Sequence, residues 1–116
     1  MQDTKFERDP YRKLSGIYVI RSTLDNRNYV GSAVSIASRH KGHRIALLHS
    51  KHGNLPLQNF ANKHGLDCLA FEVLEYCERG LLVEREQHWL DTLQPSFNIL
   101  KVAGSMVGIQ TKTINR

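Results

Sequence analysis

Gly16-Ile17-Tyr18-Val19-Ile20-Arg21-Ser22, a polar turn at Asp25-Asn26, and Asn28-Tyr29-Val30-Gly31-Ser32-Ala33 form the stretch that decides the fold. Ile17, Val19, Ile20 and Leu24 supply β-branched and apolar residues, and Asp-Asn is a turn pair. The stretch therefore reads as a β-hairpin, with strands over about 16–22 and 28–31. Side chains alternate across a strand, so Tyr18 faces away from Ile17 and Val19, and Tyr29 away from Val30. Antiparallel pairing around the turn stands the two phenols near each other on one face. Gly31 follows, where the missing side chain lets another backbone or a phosphate approach closely. Taken alone, a tyrosine pair in a sheet is ordinary packing whose hydroxyls need only hydrogen-bond partners.

Beyond the hairpin, a helix is expected from Val34 or Ser35 to about His49, with Ile36, Ala37, Ile45, Leu47 and Leu48 on a broad apolar arc. Arg39 and His43 are four apart on it and present a guanidinium and an imidazole to the same spot. A guanidinium is permanently charged and holds two phosphate oxygens through parallel hydrogen bonds. A loop carrying His52, Gly53 and Asn54 leads to Pro56, suited to the first turn of a second helix that stops at Gly65. Residues 68–76 alternate, with Leu69, Phe71 and Val73 on one side, and read as a third strand. From Glu78 to about Thr92 a third helix places Leu82, Glu86, Trp89 and Leu93 on one stripe. A carboxylate on that stripe needs a cation, a hydrogen-bond network or an exposed edge. An ion pair with Arg39 or Arg85 and a divalent metal are both open to Glu86. Pro95 ends the helix, and 97–100 reads as a short extended return to the core.

The chain has 116 residues, one domain's worth, and 41% of them are hydrophobic, as expected of a soluble globular protein. The first fifteen residues mix three acids with four bases around no apolar segment, which argues against a secretory signal or transit peptide. Cys68 and Cys77 are too far apart for a Cys-x-x-Cys motif, and free thiols in a reducing compartment are expected. Net charge is +5, unevenly spread. No acid lies between Asp25 and Asp67, while Arg27, Arg39, Lys41, Arg44, Lys51 and Lys63 do. One-signed charge of this kind suggests a polyanion-binding face, against the plainer reading of a solvated basic helix. His40, His43, His49 and His52 invite a zinc site, but no cysteine pair or acidic ligand is close in sequence. Phosphate binding by that basic face needs fewer assumptions.

Gly16-Ile17-Tyr18 followed by Tyr29-Val30-Gly31 resembles the signature of the GIY-YIG nuclease family. Arg39 with His43, His52, Glu86 within Val83-Glu84-Arg85-Glu86, and Phe97-Asn98-Ile99 also fit it. The resemblance runs from about Gly16 to about Ala103 and is strongest to the catalytic domains of phage and intron-encoded homing endonucleases. These share the Tyr-Val-Gly-Ser-Ala run and a segment like Leu57-Gln58…Asn62-Lys63-His64-Gly65. The residues and the resemblance together give an α+β fold, a small three-stranded antiparallel sheet flanked by about three helices. The expected division is a lead-in over 1–15, a nuclease domain over 16–103, and a tail or linker start over 104–116.

The resemblance implies an intracellular, metal-dependent endonuclease of double-stranded DNA, with Tyr18, Tyr29, Arg39, His43, His52, Glu86 and Asn98 as catalytic residues. Glu86 would anchor Mg2+ or Mn2+, since one carboxylate suffices when water and substrate phosphate supply the rest. Arg39 would neutralise charge on the phosphate, and Tyr18 would act as general base or orient the attacking water. Tyr29, His43, His52 and Asn98 would position phosphate and water. Arg27, Lys41, Arg44, Lys51 and Lys63 would contact DNA. Homing relatives place target recognition in a further domain, so an additional recognition domain or partner is expected. A non-cleaving nucleic-acid-binding module of the same fold and a structure-specific repair nuclease are the alternatives.

Overall fold

The computed structural model describes residues 14–99 and Ala103. The expectations for 1–13, 100–102 and 104–116 lie outside the described residues. Element order is β1 (Gly16–Ser22), β2 (Asn28–Ala33), α1 (Ile36–Leu48), α2 (Leu55–His64), β3 (Leu69–Tyr76) and α3 (Leu82–Leu93), with single 3₁₀ turns at Leu66–Cys68 and Arg79–Leu81. The sheet is antiparallel in the order β2-β1-β3, with β1 paired on both sides. This is the expected α+β architecture of three strands and three helices.

Being central, β1 is covered on both faces. Tyr18 and Ile20 join one core with Ile36, Leu47, Leu57, Phe60, Phe71 and Phe97, beneath α1 and α2. Ile17 and Val19 join the other with Val30 and Leu90, beneath α3. Burying each such aliphatic side chain contributes roughly 1.5–3 kcal/mol, so two thin cores hold one small sheet.

The register slips between Ile17 and Tyr18, which oppose Glu75 and Val73, so Leu74 is the extra residue of a bulge. Gly16 sits where a Cβ would lie 2.9 Å from Ile36 Cδ1 and 3.0 Å from Tyr76 Cα, so only glycine lets β3 and α1 close on this end of β1.

Two expectations are corrected here. The buried side of α1 is Ile36, His40, His43 and Leu47, whereas Ile45 and Leu48 are exposed. Aromatic neighbours explain this, since His40 stacks on Phe71 at 4.3 Å and His43 packs on Tyr18 at 5.3 Å between centroids. The segment after α3 is a turn rather than an extended strand. Gln94 ends the helix in the left-handed region (φ 45°, ψ 58°), and Phe97 then drops into the core while Ile99 stays exposed.

β2 is an edge strand, and backbone groups on its outward side are engaged at three successive positions. Asn28 O accepts from Phe97 N–H at 2.9 Å. Val30 N–H donates to Asn98 Oδ1 at 2.8 Å, and Val30 O accepts from Asn98 Nδ2 at 2.9 Å. Ser32 O accepts from Arg39 Nη1 at 3.2 Å. A turn and one arginine therefore take up several of the bonds a fourth strand would make, which blunts the edge against pairing with another chain.

Candidate active site

The site straddles the edge of β2. Tyr18 and Tyr29 approach from the α1/α2 face, their rings 6.5 Å apart at the centroids. Glu86 comes from α3 on the other face, and its Oε1 accepts the Ser32 hydroxyl at 2.7 Å. Arg39, exposed on the first turn of α1, bridges the two by bonding Ser32 O.

Gly31 is what lets Tyr18 in. The phenol lies across that position, and a Cβ there would sit 2.5 Å from Tyr18 Cζ and 3.1 Å from Cε2. The close approach expected at this glycine is thus made by a side chain of the neighbouring strand, not by a phosphate or another backbone.

Behind Tyr18 runs a chain of hydrogen bonds whose direction can be derived. Tyr18 Oη is 2.6 Å from His43 Nε2, and His43 Nδ1 is 2.7 Å from His52 Nε2. His52 Nδ1 lies 3.0 Å from the backbone N–H of Asn54, which can only donate. His52 Nδ1 is therefore the acceptor, and a neutral His52 carries its proton on Nε2 and gives it to His43 Nδ1. By the same step a neutral His43 carries its proton on Nε2 and donates to the Tyr18 oxygen. Every bond in the chain points toward the phenol.

Electrostatics agree that both imidazoles are neutral near pH 7. Burial, followed by the charges of His52, Arg39 and His40, lowers His43 to about 3. Burial also lowers His52. Tyr18 is pushed well above the usual phenol range by burial first and then by Tyr29, with Arg39 opposing. Tyr29 is raised by burial and by the Glu86 charge. Glu86 is raised by burial, while the Ser32 hydroxyl and the Arg39 charge oppose.

Of the two ion-pair partners open to Glu86, Arg85 is taken elsewhere. Its Nε lies 2.8 Å from Glu75 Oε2, and Trp89 Nε1 donates to Glu75 Oε1 at 2.9 Å. Among the described residues Glu86 Oε2 has no hydrogen bond, so a half-buried carboxylate keeps one oxygen uncommitted beside the phenols. Among the described residues no three His, Cys, Asp or Glu side chains converge to hold a metal. A lone carboxylate of this kind suits a hard divalent cation that takes its other ligands from water and a phosphate.

The sequence-derived candidates separate into groups. Tyr18, Tyr29, Arg39, His43, His52 and Glu86 gather at one place. Asn98 stands beside them as a clamp on Val30. His49 is exposed and apart from the His43–His52 pair. Of the basic residues, Lys41 and Lys51 are exposed, Arg44 is half-buried on α1, and Arg27 and Lys63 line one cavity.

Three residues that the sequence did not single out organise the site. Ser32 holds Glu86. Gln58, buried, accepts the His52 N–H at 3.0 Å and donates to Leu47 O at 3.1 Å. Asn54 caps α2 through Leu57 N–H and ties down Phe97 O through its amide. The Asn54 signal was present as a cap residue just ahead of Pro56; Ser32 and Gln58 lay within the two segments shared with homing endonucleases, with nothing to mark their partners.

Residues 14–99 match the family model described as the GIY-YIG catalytic domain. The chain is 38% identical over 96 residues to intron-associated endonuclease 1 of Enterobacteria phage T4, which covers 81% of this chain and 39% of the relative. The chain thus spans about two-fifths of the length of that relative. A mutant form of the catalytic domain of intron endonuclease I-TevI superimposes with a TM-score of 0.70 at 36% identity, over 78% of this chain and 97% of that one. A further structure of that catalytic domain gives 0.64 at 39% identity, over 69% and 88%.

Proposed function

Because the chain belongs to the GIY-YIG nuclease family, we propose that it is the catalytic unit of a metal-dependent, homing-type endonuclease that hydrolyses double-stranded DNA. The observation that carries this reading is the meeting, across one strand edge, of a phenol fed by directed hydrogen bonds and a half-buried carboxylate with a free oxygen.

Glu86 would hold the divalent cation, Mg2+ or Mn2+, which when bound supplies charge for the phosphate and the leaving oxygen. The remaining work falls to the chain itself. Arg39, exposed at the rim, meets the scissile phosphate and offsets charge gathering on its oxygens. Tyr18 takes a proton from the attacking water. Burial, and after it Tyr29 and the Glu86 charge, oppose the phenolate that this requires. The His43 Nε2–H aimed at its oxygen and the Arg39 charge both favour phenolate over phenol, since a donor bonds the charged form more strongly. Tyr29 borders the same opening and orients water or phosphate. His52 and Asn54 keep His43 in its donating tautomer, and Asn98 keeps β2, and with it Tyr29 and Ser32, in place.

Target recognition by an additional domain or partner is part of this proposal. The phage relative carries more than half its length outside the matched region. Nicking of supercoiled plasmid by the purified chain, with magnesium, manganese or EDTA, is the test. Nicking that needs a divalent cation supports the reading. Binding without nicking in every metal tested assigns the chain to non-cleaving DNA-binding modules instead.

A further inference from the structure

A second basic feature lies away from the phenols. The hairpin turn, one stripe of α2 and the turn after α3 line an open cavity of about 360 Å³. Arg27, Lys63 and His64 line it together with the polar Asn59 and Ser96, and no acid does among the described residues. Its floor is aromatic, formed by Phe60 and Phe97, which are buried and meet edge to face at 5.6 Å.

Arg27 and His64 are fixed against that floor. The Arg27 guanidinium stands 4.8 Å over Phe60 and 5.5 Å from the Phe97 centroid. The His64 ring packs on Phe60 at 4.6 Å. Asp25 takes two contacts on Arg27, at 2.9 Å and 2.8 Å, and leaves the other guanidinium donors uncommitted among the described residues. Holding a guanidinium in place before a ligand arrives lowers the ordering cost of binding an anion.

The placement can be compared with a duplex laid along β2. Arg27 precedes by four positions Gly31, which is paired with Tyr18. At about 3.3 Å per residue, the cavity is on the order of 13 Å along the sheet from the phenol. A duplex rises about 3.4 Å per base pair, so for a duplex running along β2 the offset would correspond to roughly four base pairs. Phe97 joins the two places, with its ring in the cavity floor and its carbonyl on Asn54, whose N–H sets His52.

We propose that this cavity is a second phosphate-binding site, which takes a backbone phosphate of the DNA about four base pairs from the scissile bond and fixes how the duplex lies across the edge of β2. The inference rests on the nuclease reading of the phenol site, but it is read out by binding rather than by cleavage.

The experiment compares wild type with Lys63→Gln, with Arg27→Gln/Lys63→Gln, and with Arg79→Gln as a control outside the cavity whose charge change equals that of Lys63→Gln. DNA affinity is measured against salt concentration, and phosphate ethylation interference is mapped on the bound duplex. Lys63→Gln leaves Phe60 and Phe97 untouched and should lower the slope of log affinity against log salt by about 0.9, the value of one phosphate contact. It should also abolish interference at one phosphate about four base pairs from the cut. Lys63→Gln and the double variant behaving like Arg79→Gln would overturn the proposal. So would inorganic phosphate, titrated alone, saturating shifts of the Lys63 and His64 amide resonances while the DNA slope of Lys63→Gln stays at the wild-type value, which would assign the cavity to a free anion. Wild type that binds with the cavity signature yet cuts no DNA would sink the hydrolytic reading and leave this site standing.

Discussion

Acidification from pH 7 to pH 5 should cost the folded domain about 2 kcal/mol through His43 alone. The ring is 9% exposed and its folded value is lowered to about 3, against about 6.5 in an unfolded chain. Between those values the unfolded state binds the proton and the folded state does not, so stability rises with pH. The contribution is complete above 6.5 and is lost progressively as pH falls toward 3. At pH 5 the unfolded histidine is about 1.5 units into protonation, and each unit is about 1.36 kcal/mol, which gives the figure above. Structurally, the added proton would sit on His43 Nδ1 and face the Nε2–H of His52 across 2.7 Å. Urea unfolding of wild type and His43→Gln at both pH values, in EDTA, reads the effect as the difference between the two proteins, with the contribution of Glu86 common to both. Wild type should lose about 2 kcal/mol more than the variant. Equal losses would refute the claim that His43 is buried neutral.

Three other outcomes are expected. Gly31→Ala drives a methyl into the Tyr18 ring, and single-turnover cleavage should fall by roughly 100-fold with a stability loss of about 1–3 kcal/mol; a near-wild-type rate would contradict the packing of Tyr18 on β2. Asn98→Ala removes both clamps on Val30, at about 1 kcal/mol each. Hydrogen exchange at the Val30 amide should accelerate sharply, and an unchanged rate would mean the clamp is not what protects the edge. Imidazole nitrogen shifts at pH 7 should report the Nε2–H tautomer for both His43 and His52, whereas an Nδ1–H signature on either ring would break the derived direction of the hydrogen-bond chain.

The hairpin and the three helices were legible because they depend on local chemistry: alternation in β1, the turn at Asp25-Asn26, and Pro56 in the first turn of α2. Glu86 was legible as a charge on an apolar stripe, and its one free oxygen came only with the fold. The buried face of α1 was not legible. His40 and His43 count as polar in any pattern, yet they face Phe71 and Tyr18, which are 31 and 25 positions away in the chain. The Asn98 clamp was hidden for a similar reason, since an amide that completes a strand edge reads in sequence as an ordinary turn residue. Gln58 and Ser32 act only through partners brought by tertiary structure.

The central claim is that Glu86 and Tyr18 perform hydrolysis at the edge of β2, rather than merely shaping a DNA-binding surface. The most direct measurement is DNA affinity and single-turnover cleavage on the same duplex, with magnesium, for wild type, Glu86→Gln and Tyr18→Phe. Both variants should bind within a few-fold of wild type and lose cleavage by at least about 100-fold, the usual scale for a group acting in general acid–base chemistry. Cleavage at the wild-type rate by either variant, with affinity unchanged, would contradict the account.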